Sequence, residues 1–189
     1  MCFFSLLYVV NLLIIETGDK MRKINLTYKN ILLYVISFGI IVGGDQITKI
    51  IVDHTLSLGA SYSIIDSFFY FTYSHNDGAA WGIFSGKLEL FFIIAIVAAI
   101  GLIYYFIQSE AYQKLTRFGI VLIFSGMIGN LIDRVCLGYV RDFIDFIIFG
   151  YDFPIFNVAD MAITIGFILV IIEVGIEEYK AWKISKSEL

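Results

Sequence analysis

The chain has 189 residues, of which 59% are hydrophobic, 17% aromatic and 16% charged, with one proline and a formal net charge of −4. A soluble domain carries about 25% charge and about 45–50% apolar residues, and a small globule cannot hide a large apolar excess. Together with a mean hydropathy of +0.86, this excludes an ordinary soluble enzyme, a disordered tail and a secreted disulfide scaffold, and the acidic balance argues against nucleic acid as a partner.

The expected class is an all-α polytopic membrane protein. Residues 1–20 fit no span comfortably. Cys2 to Ile15 is an apolar run of 14 residues containing Ser5 and Asn11, shorter than the roughly 20 residues a crossing helix needs. Met21, followed at once by Arg22 and Lys23, reads as a natural start. The preceding segment is then an over-extended start, a membrane-surface segment or a dispensable signal-like piece. Residues 21–189 form one membrane-embedded domain, with spans at about residues 31–52, 88–107, 118–134 and 157–176.

Positive residues orient these spans. Lys20, Arg22, Lys23, Lys29, Lys114, Arg117, Lys180, Lys183 and Lys186 fall on one side, and only Lys49, Lys87, Arg134 and Arg141 on the other. Both termini are therefore expected in the cytoplasm. Residues 62–75 and 139–153 are rich in aromatic and β-branched residues with partial alternation, a strand pattern. They are expected to form a small extracytoplasmic β-rich platform at the outer surface, although the same composition would serve loops that merely anchor helices.

An ionisable group at membrane depth costs about 2.5–3.5 kcal/mol and so marks a site or a partnered pair. At 1.5 Å per residue, Asp45 lies about 21 Å along its span from Ile31 and Asp133 about 22 Å along its span from Phe118. Asp45, Lys49, Asn130, Asp133, Arg134, Asn157 and Asp160 thus fall near one depth, towards the outer end. Glu173 is the exception, expected to snorkel towards the cytoplasm. Asp45 and Lys49 are spaced i, i+4 and can pair, which serves structure as readily as catalysis. Asn130 and Arg134 share a face, as do Asn157 and Asp160, while Ser125, Gly126 and Gly129 offer a small surface for close helix approach.

Asp142 lies in the outward segment, where a modest return of the chain brings it beside Asp160. Two carboxylates at close range share a proton and can act as base and acid on water and a leaving group. Solvated loop acids and a proton-transport path are the competing readings, and Asp145 and Asp152 read as ordinary loop acids. The run Asn76-Asp77-Gly78-Ala79-Ala80-Trp81-Gly82 allows a tight turn with close backbone approach, suited to an extended peptide or simply to an interfacial turn anchored by Trp81. His75 and His54 have no further ligands around them, and no metal site is expected. Cys2 and Cys136 form no metal or redox pattern.

Five blocks in order now resemble one family: DQITK (Asp45–Lys49), NDGAAWG (Asn76–Gly82), SGMIGNLIDR (Ser125–Arg134), VRDFIDF (Val140–Phe146) and FNVAD (Phe156–Asp160). Over about residues 29–177 the chain resembles bacterial lipoprotein signal peptidases (signal peptidase II), which are intramembrane aspartyl proteases. The resemblance implies that Asp142 and Asp160 are a catalytic pair, that Asn76, Gly78, Asn130, Arg134 and Asn157 shape the substrate pocket, and that Asp45, Lys49 and Asp133 support them. It implies diacylglyceryl-modified prolipoproteins as substrates, cut before the modified cysteine, with membrane lipids as surroundings, no metal or organic cofactor, and a monomeric enzyme. Arg141, next to Asp142, departs from the comfortable pattern and is expected to lower that carboxylate's pKa. Residues 1–20 have no counterpart in the family pattern.

Overall fold

The computed structural model describes residues 27–78 and 86–187. The N-terminal segment 1–20, the start at Met21 and the residues Ala79–Gly82, with the Trp81 anchor, lie outside the described residues. Four long helices carry the apolar spans: α1 (Tyr28–Thr55), α2 (Leu88–Gln108), α3 (Lys114–Leu137) and α4 (Val158–Ser187). All four are long and apolar enough to cross a membrane. The 21 residues of α2 reach about 32 Å at 1.5 Å per residue, close to the thickness of a hydrocarbon core of about 30 Å. None of its residues is buried, which is the behaviour of a helix whose apolar surface faces lipid rather than protein.

Strands β1 (Ser61–Ile65) and β2 (Phe69–Asn76) follow α1, and β3 (Val140–Ile148) and β4 (Tyr151–Asp152) follow α3. They join as one antiparallel four-stranded sheet in the order β1-β2-β3-β4. Because β2 pairs with β3, the α1–α2 and α3–α4 connections sit at the same end of the bundle. Residues 109–113 turn the chain at the other end. The strand pattern at 62–75 and 139–153 thus corresponds to real strands, and the described residues form a four-helix membrane bundle with a small sheet at one end.

Strand alternation divides the sheet's residues. His75 pairs in register with Arg141, and Ser74 with Asp142. Tyr73, His75, Arg141 and Phe143 therefore share the back face, where Tyr73 and Phe143 form a core cluster with Val52 of α1. Ser74, Asn76, Val140 and Asp142 share the front face. Aromatic rings knit the hairpins together, with Phe69 stacked on Phe146 at 4.8 Å between centroids. The β3–β4 hairpin turns through Phe149 (φ 51°) and Gly150 (φ 81°), both positive as its tight turn requires.

Helices α3 and α4 approach most closely. A Cβ on Gly126 would overlap the backbone carbonyl of Ala159 and the side chain of Ile163, so the small surface around Ser125 and Gly126 is filled by α4, as helix packing without a lipid-excluding drive favours. At the far end Glu173 does not snorkel. Its carboxylate accepts from the Thr116 N–H at 2.9 Å, satisfying one of the free donors of the first turn of α3.

This contact gives a direct test. Gly126→Val should destabilise the purified protein by about 1–3 kcal/mol, the cost of overpacking a tight contact. Gly101→Ala, inside α2 at a glycine with nothing within 4 Å of an added Cβ, should leave the thermal midpoint in detergent no lower than that of the native protein.

Candidate active site

Helix α4 begins with a reciprocal cap. The Asp160 N–H donates to Asn157 Oδ1 at 3.0 Å, and the Asn157 N–H donates to Asp160 Oδ2 at 3.2 Å. This is the arrangement of a capping box, with Asn and Asp in its two positions. The third free donor of this turn, the Ala159 N–H, goes to Asp45 Oδ1 of α1 at 2.9 Å. The Asn-Val-Ala-Asp sequence thus fixes the direction of the Asp160 side chain through its own helix start.

Asp142 reaches the same place from the front face of β3 and is 2% exposed. Its two oxygens accept from Asn157 Nδ2 at 2.6 Å and Asn76 Nδ2 at 2.9 Å. Asp160 Oδ1 accepts from Asn130 Nδ2 at 2.7 Å. Asn157 Nδ2 also donates to Asn130 Oδ1 at 3.1 Å, so one asparagine amide touches both Asp142 and the amide that binds Asp160. Burial, reinforced by the charge of Asp160, pushes the Asp142 carboxyl up to about 7. A buried acid facing a second acid holds its proton near neutral pH.

Behind this pair lies a network of charges. Lys49 Nζ donates to Asn130 Oδ1 at 2.9 Å, pairs with Asp45 at 2.9 Å and lies 3.5 Å from Asp133. Asp45, Lys49 and Asp133 are fully buried. A Cβ on Gly129 would stand 2.7 Å from Asp45 Oδ2, so a glycine there lets the carboxylate reach its partners. Asp133 in turn binds Arg141 through its N–H at 3.0 Å, Nε at 3.1 Å and Nη2 at 2.7 Å.

Arg141 therefore acts differently from the sequence expectation. Strand alternation carries its side chain to the back face, where Asp133 fixes it. It does not lower the Asp142 pKa, which is raised. Gln46, given no role by the sequence, joins the same network: its amide nitrogen, with two hydrogens to give, lies within hydrogen-bond distance of Asp45, Asp133 and the Gly129 carbonyl, and its oxygen accepts from Arg141. An amide within an apolar span, one residue from Asp45, was the available signal. Asp145 is also more than a loop acid, since it lies within β3 and accepts from the Thr72 hydroxyl. Asp152 lies in β4 and borders the cavity described next.

The front face opens on a cavity of about 1080 Å³ bordered by Asn76, Gly78, Asn130, Arg134, Asp142 and Asp160, with Phe91, Met161 and Ile165 at its apolar side. Arg134 Nη2 donates to the Gly78 carbonyl at 2.8 Å, and its guanidinium lies 4.3 Å from the centre of the Phe91 ring, a cation–π distance. The Gly78 N–H donates to Asn76 Oδ1 at 3.0 Å, an Asx turn. All ten residues singled out from the sequence converge here: seven contribute to the pair and the cavity, and Asp45, Lys49 and Asp133 stand behind. The arrangement can bind an extended apolar chain and present to it two carboxyls, one able to hold a proton.

Apolar helices with a cavity at one end lined by Asp142 and Asp160 define an integral membrane protein with two carboxyls at one pocket. A family model described as Signal peptidase (SPase) II matches residues 36–176. The chain belongs to the signal peptidase II family. It is 52% identical to the lipoprotein signal peptidase of Staphylococcus aureus (strain MRSA252) over 125 residues, 66% of this chain and 77% of that protein. The counterpart from strain JH9 is 51% identical over the same length. A structure described as a bacterial membrane enzyme solved by the in meso method at 2.3 Å superposes with a TM-score of 0.71 at 48% identity, covering 75% of this chain and 87% of that one. A second, at 1.9 Å, gives 0.69 at 48% identity.

Removing the shared carboxylate of the network tests its weight. Asp133→Ala leaves Lys49 and Arg141 facing each other without their common partner, and should cost about 3–5 kcal/mol in denaturation measurements on the purified protein.

Proposed function

We propose that this chain is an aspartyl endopeptidase that removes signal peptides from diacylglyceryl-modified prolipoproteins, cutting the amide before the lipid-modified cysteine, with Asp142 and Asp160 as its catalytic pair. The observation that carries this reading is the meeting of two carboxyls, from β3 and from the first turn of α4, across Asn157 at the wall of a cavity with an apolar side. Membership of the signal peptidase II family supports the same reaction.

In this mechanism the ionised aspartate takes a proton from water, and the protonated one donates a hydrogen bond to the scissile carbonyl oxygen. Water adds to the carbonyl carbon, giving a tetrahedral gem-diol. The gem-diol collapses as the leaving nitrogen receives a proton, and one proton again remains on the pair. Asn76, Asn130 and Asn157 hold both carboxyls in place with amide donors. Arg134 and Gly78 shape the wall along which the peptide lies, and the Phe91, Met161 and Ile165 side accepts apolar substrate.

The placement of basic residues supports cytoplasmic termini in a bacterial inner membrane. The sheet and cavity then face outward, at the level where a lipid-anchored substrate presents its cleavage bond. Both aspartates come from one chain, so a monomer is sufficient. The mechanism as written uses water and the two acids, and a chelator should leave the rate unchanged.

Asp142→Asn and Asp160→Asn should each abolish cleavage of a diacylglyceryl-modified prolipoprotein while the protein still accumulates in membranes. Near-native cleavage by either variant would contradict the assignment. The pH dependence follows from the raised Asp142 value. Below about 7 the pair keeps its shared proton; as pH rises through that value the proton leaves and turnover falls. A macroscopic pKa of the pair near neutrality should therefore define the alkaline limb of the rate profile, and a rate still rising well above that value would count against it.

A further inference from the structure

Behind the catalytic face, the sheet carries a chain of side chains that the reaction above does not use. Tyr73, 2% exposed, donates its hydroxyl proton to Asp53 near the end of α1. A phenol has one proton to give, so the remaining contact of this hydroxyl, His75 Nε2 at 3.0 Å, is a donation from the imidazole. The neutral ring therefore carries its hydrogen on Nε2, and a second proton can enter only at Nδ1. The ring is stacked on Tyr139 at 3.6 Å between centroids.

His75 and Arg141 are directly opposed across the β2–β3 pair, and their side chains leave the same face. Among the described residues, the charged and titratable groups around the imidazole are Asp53 from α1, Tyr73 from β2, Tyr139 just before β3, and Arg141 from β3, whose own partner is Asp133 from α3. On the other face, one residue along each strand, Asn76 donates to Asp142. Any change in the spacing of these two strands moves that catalytic contact.

We propose that His75 is a positioning residue for the Asp142/Asp160 pair: its neutral imidazole, tied to Tyr73 and Asp53, braces the back of the β2–β3 pair, and its protonation at acid pH sets a cation opposite Arg141 and slows cleavage. The inference rests on the peptidase reading given above. Like charges directly opposed in a sheet are destabilising, and here the strain falls on the two strands that supply Asn76 and Asp142. Burial holds the His75 pKa below its ordinary value; of the neighbouring charges Asp53 opposes this shift, and Arg141, more weakly, adds to it. The ring is therefore neutral at neutral pH and charges only on acidification.

The test compares the full-length enzyme with His75→Gln and His75→Lys on a diacylglyceryl-modified lipopeptide. Glutamine keeps a donor towards Tyr73 and cannot titrate; lysine keeps a charge at every pH of interest. The ratio of kcat at about pH 4.5 to kcat at about pH 7.5 should be about two- to fivefold higher in His75→Gln than in the native enzyme, the scale of one opposed like-charge pair. His75→Lys should lower kcat at both pH values with KM unchanged and show no acid loss beyond that of His75→Gln. Native and His75→Gln ratios that coincide would overturn the proposal while leaving the peptidase reading intact. An inactive native enzyme would overturn the peptidase reading, and this inference with it.

Discussion

Charges inside an apolar helical bundle have no water to turn to, and each must find its partner in the protein. The Asp45, Lys49, Asp133 and Arg141 network answers that constraint, and the rest of the site is attached to it. Arg141 pins the start of β3 to α3 through Asp133. Lys49 joins α1 to α3 and, through Asn130, reaches the amides around Asp160. Asp45 caps the start of α4 through the Ala159 N–H. One set of contacts therefore fixes α1, α3, α4 and β3 relative to each other. A buried ion pair offsets rather than exceeds its desolvation cost, so what these four residues supply is geometry more than stability.

That geometry separates two kinds of carboxylate nine residues apart in the chain. Asp133 meets a guanidinium and an ammonium and serves as an anchor. Asp142, one residue past Arg141, accepts its hydrogen bonds from neutral amides and faces another acid, so burial and that acid outweigh the more distant Lys49 and it can hold a proton near neutral pH. The difference comes from alternation along one strand: Arg141 and Asp142 are adjacent in sequence, yet one is turned to the charged network and the other to the cavity. An extra cation on the front face would favour full ionisation of the pair and remove the acid that the reaction needs.

Much of this was legible in the sequence because the protein is so apolar. Few polar residues interrupt the spans, so Asp45, Lys49, Asn130, Asp133, Arg134, Asn157 and Asp160 stood out and could be placed near one depth by helix rise alone. The alternation at 62–75 and 139–153 indicated strands. Contacts across elements were harder to read. Arg141 was assigned to its chain neighbour Asp142, because sequence adjacency suggests contact where strand alternation forbids it. Gln46 carries no charge, so the cost of burying charges does not single it out, although it bridges Asp45, Asp133 and Arg141. Glu173 was read as reaching for water because its partner, a backbone N–H of α3, has no side-chain signature.

The most direct test of the account is the source of the oxygen in the new carboxylate. In a single turnover in ¹⁸O-labelled water, water activated by the aspartate pair should place one labelled oxygen in the C-terminal carboxylate of the released signal peptide and none in Asp142 or Asp160. First-turnover signal peptide without label, with label recovered instead in one of the two aspartates, would show a covalent acyl-enzyme and contradict the account.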